Sequence, residues 1–218
     1  LGGPLLEDRV ADDPDRVGSH ATQGSVAPVP DCGPDHYFSR RPSAASRPRR
    51  ITLTLPDLQV ELCSDAGVFS ADRIDPGTRL LLLEAPDPPP DAAHLADLGC
   101  GYGPVAVTLA HRAPRAAVWA IDINERARAC CRANAERLGL GSIRVAAPDE
   151  VPDEVRFDAL WSNPPVRIGK EVLHDLLVRW LDRLTPRGRA WLVVQRHLGA
   201  DSLHRWLNEQ GWPTARRV

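Results

Sequence analysis

The sequence predicts an α/β fold with a doubly wound, mainly parallel β-sheet. Three observations lead to this prediction: short apolar strands alternate with helical segments after residue 91, the connections between them are short, and a glycine-rich turn follows the first of these strands. Such alternation is typical of βαβ units in a Rossmann-like sheet. Ligands bind these sheets outside the carboxyl ends of the strands, so we expect the functional site there.

Composition divides the chain into three segments. Residues 1–34 are rich in Gly, Pro and Asp without periodicity, which predicts a disordered tail. Residues 35–90 are expected to form an extension that packs on the core, and residues 91–218 are expected to form the ligand-binding core itself. The stretch "PDPPPDAA" (86–93) predicts a stiff linker at the boundary between them.

The extension is expected to contain a hairpin and a short helix. The stretch "ITLTLPDLQVEL" alternates apolar and polar residues on either side of Pro56 and Asp57, which predicts two short antiparallel strands. The stretch "DPGTRLLLLEA" begins with turn residues and then becomes apolar, which predicts the helix.

The core begins with the strand "AHLADLG", the helix "PVAVTLAHRAP" and the strand "AVWAIDI". The next helix, "NERARACCRANAERLGL", has an N-cap in Asn124 and a terminating glycine in Gly139. Strands follow in "SIRVAA", "FDALWSN" and "RAWLVVQ", with a last helix in "DSLHRWLNEQG". The helix "EVLHDLLVRWLDRL" is predicted to place its apolar side chains on one face: Val172, Leu173, Leu176, Leu177, Trp180, Leu181 and Leu184.

Composition also excludes several classes of function. A formal net charge of -2 at pH 7 gives no general attraction to nucleic acid or to a membrane, so only local patches can provide it. The cysteines form no CxxC pair and the histidines no metal-ligand spacing, which indicates reduced thiols and no bound metal. No apolar run approaches the roughly twenty residues of a membrane span, and no secretory leader is recognisable. We therefore expect a cytoplasmic protein without a membrane segment. We also expect a monomer.

The stretch "LADLGCGYGP" predicts a ligand-binding turn. Gly99, Gly101 and Gly103 stand between a strand and a helix, where glycine lets the backbone turn tightly and approach a ligand without a Cβ clash. Asp122 follows at about the interval at which dinucleotide folds place a ribose-binding acid. The alternative is a tight turn without a ligand, followed by an aspartate that only caps a helix.

The glycine spacing indicates which nucleoside is bound. Dinucleotide-binding turns follow GxGxxG and present a helix N-terminus to a pyrophosphate, whereas this turn reads GxGxG with Asp97 two residues ahead of Gly99. A carboxylate is poorly placed beside a diphosphate but suits a cationic ligand. S-adenosylmethionine carries a ribose, an ammonium and a sulfonium and no phosphate, so the residues favour this methyl donor over NAD.

Together, "DLGCGYGP", "AIDINERA" and "SNPPVRIGK" resemble the class I S-adenosylmethionine-dependent methyltransferases of the small-methyltransferase (MTS) group. The most similar members are small-subunit ribosomal RNA (guanine-N2) methyltransferases of the C type. The resemblance extends from Asp35 to Trp212 and implies the fold of a class I methyltransferase. It also implies a set of donor-binding residues: Asp97, Gly99, Cys100, Gly101, Gly103, Asp122, Ile123, Asp149 and Asn163.

In these relatives the Asn-Pro-Pro turn marks methylation of a planar amino nitrogen, whose delocalised lone pair attacks a sulfonium poorly. If the Asn163 side-chain oxygen and the Pro164 carbonyl each accept one N–H, the lone pair can turn toward the methyl group. Proline fixes φ and removes a competing donor, so we predict Asn163, Pro164 and Pro165 as the catalytic turn. The alternative is a loop that simply ends a strand.

The residue after the prolines bears on the substrate. Relatives that methylate glutamine or adenine often have Tyr or Phe there, whereas this chain has Val166. The resemblance implies guanine N2 as the target, with ribosomal RNA or the small ribosomal subunit as partner. Two groups of basic residues are predicted to contact RNA phosphates: Arg167 and Lys170 after the turn, and Arg40, Arg41, Arg47, Arg49 and Arg50 in the extension. The alternative is that these side chains are ordinary solvated charges.

The resemblance further implies that Phe69, Asp75 and Thr78 help to close the donor site, with packing of the extension as the alternative. It places Asp149 near the adenine amino group, with an ordinary loop acid as the alternative. Two departures from the family pattern are expected. The chain lacks a second methyltransferase-like domain ahead of the core, and its C-terminal strand pair is incomplete, since "TARRV" could supply a sixth strand but nothing remains for a seventh.

The sequence is compatible with three functions. The favoured one is an RNA guanine-N2 methyltransferase. The second is a methyltransferase for a protein glutamine or a small-molecule amine, and the third is a non-catalytic RNA-binding module with a vestigial pocket. The intact acids, glycines and Asn163 argue against the vestigial pocket. A nicotinamide-dependent oxidoreductase fits the glycine spacing least.

Overall fold

The structure is a computed structural model that describes residue 40 and residues 42–216. The tail predicted over residues 1–34 lies outside the described residues. The described chain contains the strands β1 (Arg49–Thr54), β2 (Gln59–Ser64), β3 (His94–Leu98), β4 (Ala117–Ile121), β5 (Ile143–Ala146), β6 (Phe157–Ser162) and β7 (Leu184–Leu192). Its α-helices are α1 (Pro76–Glu84), α2 (Pro104–Arg112), α3 (Glu125–Arg137), α4 (Lys170–Leu181) and α5 (Ala200–Glu209).

Five parallel strands form the central sheet in the order β5-β4-β3-β6-β7. From β3 the chain moves outward through β4 to β5, and then returns to the other side of β3 with β6. The connections after β3 and β6 therefore lead to opposite faces and open a crevice at the carboxyl ends of these two neighbouring strands. The predicted doubly wound α/β fold is confirmed.

Two apolar layers enclose the sheet. On one face α2 is buried along most of its length and shares one apolar cluster with α1 and with the hairpin side chains Leu53 and Leu62. On the other face Trp180 of α4 packs against Phe157, with 6.1 Å between the ring centroids. Burial of such large apolar side chains on both faces provides most of the driving force for this architecture.

The strands β1 and β2 form the predicted antiparallel hairpin, and two polar anchors hold it on the core. The amide of Asn134 on α3 accepts the N–H of Cys63 and donates to its carbonyl oxygen, both at 2.8 Å. Arg112 at the end of α2 binds both carboxylate oxygens of Asp57, at 2.7 and 2.9 Å. Bidentate pairing of this kind fixes direction as well as distance.

The strand predicted over residues 189–195 is β7, which starts and ends earlier than predicted. Its first residue, Leu184, pairs with Phe157, and a bulge follows before the regular ladder resumes. A Cβ at Gly188 would lie 2.8 Å from the Phe157 carbonyl oxygen. Glycine therefore allows the bulged strand to approach β6, which the apolar pattern alone does not indicate.

The predicted apolar face of α4 is partly wrong. The helix ends at Leu181, and Leu184 belongs to β7 instead. Val172, expected on the buried face, is 55% exposed. The buried residues Leu173, Leu177 and Trp180 follow helical spacing, and Val172 lies one position off this stripe.

The sixth strand predicted for "TARRV" is not formed by its described part, residues 214–216. The N–H of Thr214 donates to the Asn208 side-chain oxygen at 3.1 Å, and its carbonyl oxygen lies 3.0 Å from Nε2 of His204. These α5 side chains take up the backbone groups that a strand would use. Within residues 42–216, no helix is long and apolar enough to cross a membrane.

Candidate active site

A turn of three glycines connects β3 to α2. Gly99, Gly101 and Gly103 have φ angles of 79°, 55° and 95°, the left-handed region that favours glycine. The N–H of Gly99 donates to the carbonyl oxygen of Ile121 at 2.8 Å, which ties the turn to the end of β4. A Cβ at Gly103 would lie 2.7 Å from Sγ of Cys131, so glycine here also lets α2 begin in contact with α3.

Asp122 holds this turn from the neighbouring strand. Its carboxylate accepts the N–H of Gly101 through one oxygen at 2.9 Å and the N–H of Asn124 through the other at 2.8 Å. Asn124 in turn caps α3 with its side chain, as predicted. Burial raises the pKa of Asp122, although the N–H donors oppose this shift. Each carboxylate oxygen has further lone pairs, so the group can also accept hydroxyl groups of a ligand.

Asp97 is a buried carboxyl group at the end of β3. It is 2% exposed and accepts the N–H of Ala106 at 2.9 Å. Burial raises the pKa of Asp97 to about 8, and the nearby negative charge of Asp122 adds to the shift. A cationic ligand beside this group would favour its ionised form and relieve the unfavourable burial. The surroundings of Asp97 therefore fit a positively charged ligand.

Cys100, Ile123 and Asp149 lie in three different environments. The thiol of Cys100 is buried and donates to the Gly101 carbonyl at 3.6 Å, and the neighbouring Cys131 thiol together with burial raises its pKa. Ile123 is 40% exposed and provides an apolar surface just beyond β4. The side chain of Asp149 is exposed and lies 4.0 Å from that of Arg40.

The amide of Asn163, at the end of β6, is fixed by two residues of the extension. Its Nδ2 donates to the Asp75 carboxylate at 2.7 Å and to the Thr78 hydroxyl at 3.1 Å. The same Asp75 oxygen caps α1 by accepting the N–H of Thr78 at 2.9 Å. Since a carboxylate can only accept hydrogen bonds, it selects the nitrogen side of the amide. The acceptor oxygen of Asn163 consequently points away from Asp75.

The two prolines lead into a short 3₁₀ turn over Val166–Ile168. The carbonyl of Pro164 accepts the N–H of Val166 at 2.8 Å, and that of Pro165 accepts the N–H of Ile168 at 3.2 Å. The Pro164 carbonyl is therefore held rigidly but already makes one hydrogen bond. A carbonyl oxygen has two lone pairs, so one remains for a substrate.

The glycine turn and the Asn-Pro-Pro turn are neighbours. Leu98 pairs with Ser162 in the parallel ladder, and the Ser162 hydroxyl donates to the Leu98 carbonyl at 2.7 Å. A Cβ at Gly99 would lie 3.9 Å from the Asn163 carbonyl oxygen. The structure thus brings the two predicted motifs together at the crevice between β3 and β6.

The described members of the two predicted phosphate-contacting groups are exposed, and several of them already make contacts. Three of the arginines pair with acids at 4.0, 3.9 and 3.1 Å: Arg40 with Asp149, Arg49 with Asp72, and Arg50 with Glu61. Exposed pairs of this kind are weak. The N–H of Arg47 donates to Asp65. Lys170 is exposed at the start of α4, whereas Arg41 and the side chain of Arg167 lie outside the described part of the structure.

Two contacts of the extension carry no local sequence signal. Tyr102, inside the glycine turn, is buried and donates its hydroxyl to the Arg73 carbonyl at 3.1 Å. The second is the contact of Asp75 with Asn163, which joins residues 88 positions apart.

Phe69 lies at the surface and is 36% exposed. Among the described residues, no group of His, Cys, Asp and Glu side chains could hold a metal ion.

This chain has the fold of the class I methyltransferases, with a buried acid and a glycine turn that fit S-adenosylmethionine. Residues 59–210 match the family model described as the methyltransferase small domain, and the chain belongs to that family. It is 34% identical over 178 residues to the uncharacterized protein YbxB of Bacillus subtilis, a match that covers 80% of this chain and 88% of that one.

Two further relatives have named activities. Ribosomal RNA small subunit methyltransferase C of Shewanella amazonensis is 30% identical over 162 residues, which cover 72% of this chain and 47% of that protein. The 16S rRNA N2 methyltransferase RsmC of T. thermophilus, solved in complex with AdoMet and guanosine, superposes with a TM-score of 0.64 at 26% identity. That match covers 77% of this chain and 47% of the other. The chain thus spans about half the length of each of these two relatives.

These comparisons confirm the predicted family and the predicted donor. The protein is an S-adenosylmethionine-dependent methyltransferase.

Proposed function

We propose that the protein methylates guanine N2 of small-subunit ribosomal RNA. The observation that carries this proposal is the fixed amide of Asn163, whose N–H groups are taken up by Asp75 and Thr78. Its oxygen is therefore available to a substrate N–H, next to the glycine turn. A pair of acceptors, Asn163 and the Pro164 carbonyl, suits an amino group that has two N–H bonds to donate.

On the donor side, each residue has a task that its chemistry supports. Asp122 would accept the ribose hydroxyls, and Asp97 would face the positive end of the donor. Ile123 would pack against the adenine ring, with Asp149 near the adenine amino group. The glycines would let the backbone approach without a Cβ. When bound, S-adenosylmethionine supplies a methyl group on a positively charged sulfur.

On the acceptor side, the protein orients the amine. Asn163 Oδ1 and the Pro164 carbonyl would each accept one N–H, which turns the nitrogen lone pair out of conjugation with the ring. Because both acceptors are fixed before the substrate arrives, little reorganisation is needed, and alignment supplies much of the rate. The surplus proton of the methylated nitrogen passes to water, so the turn needs no strong base.

Guanine in ribosomal RNA is favoured over other amines by two considerations. The position after the prolines is Val166, without the aromatic ring often found in relatives that methylate glutamine or adenine. The relatives with named activities act on ribosomal RNA, and one structure was solved with guanosine. Such a base must leave its stack to reach the crevice. The proposal includes a cytoplasmic, monomeric enzyme whose partner is the small subunit or its RNA.

The test is transfer of labelled methyl from S-adenosylmethionine to ribosomal subunits that lack the modification, with small and large subunits assayed separately. Asn163→Ala is the inactive variant. Gln210→Ala, which removes an exposed amide after α5, is the matched control. We expect label in the small-subunit RNA with the wild type and with Gln210→Ala, and none with Asn163→Ala.

Each other outcome points to a different function. Label on a ribosomal protein would transfer the assignment to glutamine methylation. Absence of label with donor binding intact in calorimetry would indicate another amine. Absence of both label and donor binding would indicate an RNA-binding module with a vestigial pocket.

A further inference from the structure

A groove separate from the crevice runs between β1 and the segment that leads into α1. Its volume is about 360 Å³, and its polar lining comes from Arg50, Thr52, Thr54, Asp72, Arg73 and Arg79. The alternation of side chains along β1 explains one wall of the groove. Ile51 and Leu53 point into the core, so Arg50, Thr52 and Thr54 face outward together.

The groove has an excess of positive charge. Three guanidinium groups line it against the single carboxylate of Asp72. Arg50 pairs with Glu61 at 3.1 Å and Asp72 lies 3.9 Å from Arg49, so the excess charge comes from Arg73 and Arg79. Within residues 42–216, the side chains of Arg73 and Arg79 form no ion pair, and both residues are exposed. Guanidinium and hydroxyl groups are the donors that recognise phosphate oxygens.

Arg73 and Arg79 form the other wall of the groove, and their backbones are hydrogen-bonded to the glycine turn and to Asp75. The carbonyl of Arg73 accepts hydrogen bonds from the Tyr102 hydroxyl at 3.1 Å and from the Ser70 hydroxyl at 2.7 Å. The N–H of Arg79 donates to the Asp75 carbonyl at 2.9 Å, and Asp75 holds Asn163. The wall therefore keeps a fixed position relative to the glycine turn and to the catalytic turn.

We propose that this groove binds the sugar–phosphate backbone of the RNA strand that carries the target base, with Arg73 and Arg79 as phosphate contacts. This inference rests on the proposed function, because it names the surface that holds the RNA substrate. A base that leaves its stack needs its flanking strand held. A groove tied to Asn163 through Asp75 holds that strand in register with the catalytic turn.

The experiment measures binding of a fluorescein-labelled single-stranded oligoribonucleotide by anisotropy over a series of KCl concentrations. The wild type is compared with Arg73→Gln/Arg79→Gln. Arg132→Gln/Arg187→Gln is the control, since it removes the same charge at exposed positions on α3 and in the β7 bulge. We expect the groove variant to bind about tenfold more weakly at low salt. Its slope of log K against log salt should be shallower by about 1.4, since each phosphate contact contributes about 0.7. The control should bind like the wild type.

The proposal is overturned if the groove variant matches the control in affinity and slope, or if the wild type does not bind the RNA. Calorimetry with S-adenosylmethionine verifies the fold of the groove variant, which should retain wild-type donor affinity. Methyl transfer is measured on the same proteins. A wild type that binds RNA through the groove but transfers no methyl group to ribosomal RNA would contradict the proposed function and leave the groove assignment standing.

Discussion

The donor half and the acceptor half of the proposed active site are built in different ways. Most of the donor half lies in the unit of β3, α2 and β4, where Asp122 reaches back 21 positions to hold the glycine turn. The acceptor half needs the extension, since Asp75 and Thr78 hold Asn163 from 88 and 85 positions away. Donor binding and methyl transfer should consequently respond to different substitutions.

The largest effect is expected for Asn163→Ala. Loss of a fixed polar group that acts on the reacting atoms costs about 10²- to 10³-fold in rate. Affinity for S-adenosylmethionine should change little, because the hydrogen bonds that hold the glycine turn do not involve the Asn163 side chain. Single-turnover transfer and calorimetry measure the two quantities. An equal loss in both would show that Asn163 serves the donor instead.

A smaller loss of turnover is expected for Asp75→Ala. Without its carboxylate partner the Asn163 amide can rotate, and misplacement of a reacting group can cost up to about 10²-fold. The helix cap of α1 is lost as well, at about 1 kcal/mol of stability. Asp75→Asn keeps an acceptor oxygen for both contacts and should recover most of the turnover. An asparagine variant as slow as the alanine variant, with its fold intact, would argue against a positioning role.

On the donor half, Asp97 should make binding depend on pH. Burial raises its pKa to about 8, so the free protein holds this proton at neutral pH. A cationic ligand favours the ionised form, so binding releases the proton, and affinity should rise by up to about tenfold per pH unit until the pH passes this pKa. Calorimetry in two buffers of different ionisation enthalpy measures the release. The same release in Asp97→Asn would assign it to another group.

The smallest effect on turnover is expected for Gly77→Ala in α1, next to the contact of Asp75 with Asn163. The added Cβ would lie 3.0 Å from the Asp75 carboxylate oxygen and 3.5 Å from Asn163 Nδ2, so it should displace this contact slightly. Alanine also favours the helix by up to about 1 kcal/mol. We expect turnover to fall by about two- to tenfold without loss of thermal stability. Gly141→Ala, where the added Cβ meets open space, is the control and should behave as wild type.

The difference between local and long-range contacts also explains what could be predicted from the sequence. The strand–turn–helix order, the glycine turn and Asn-Pro-Pro are short patterns, so the fold and the meeting of these motifs at one sheet edge were predictable. The contact of Asp75 with Asn163 was not, because nothing local marks a contact across 88 positions. The bulge at Gly188 and the exposure of Val172 were missed for a related reason, since both depend on how β7 and α4 meet their neighbours.

The buried amide of Asn134 has a consequence for the order of folding during synthesis. Residues 49–64 leave the ribosome before α3, and a two-stranded hairpin alone is marginal in water. Its anchor on Asn134 arrives 71 positions after Cys63. The nascent hairpin can form this anchor only after α3 has been translated, although Arg112 can reach Asp57 earlier. An element made before α1 is thus fully secured only once α3 is complete.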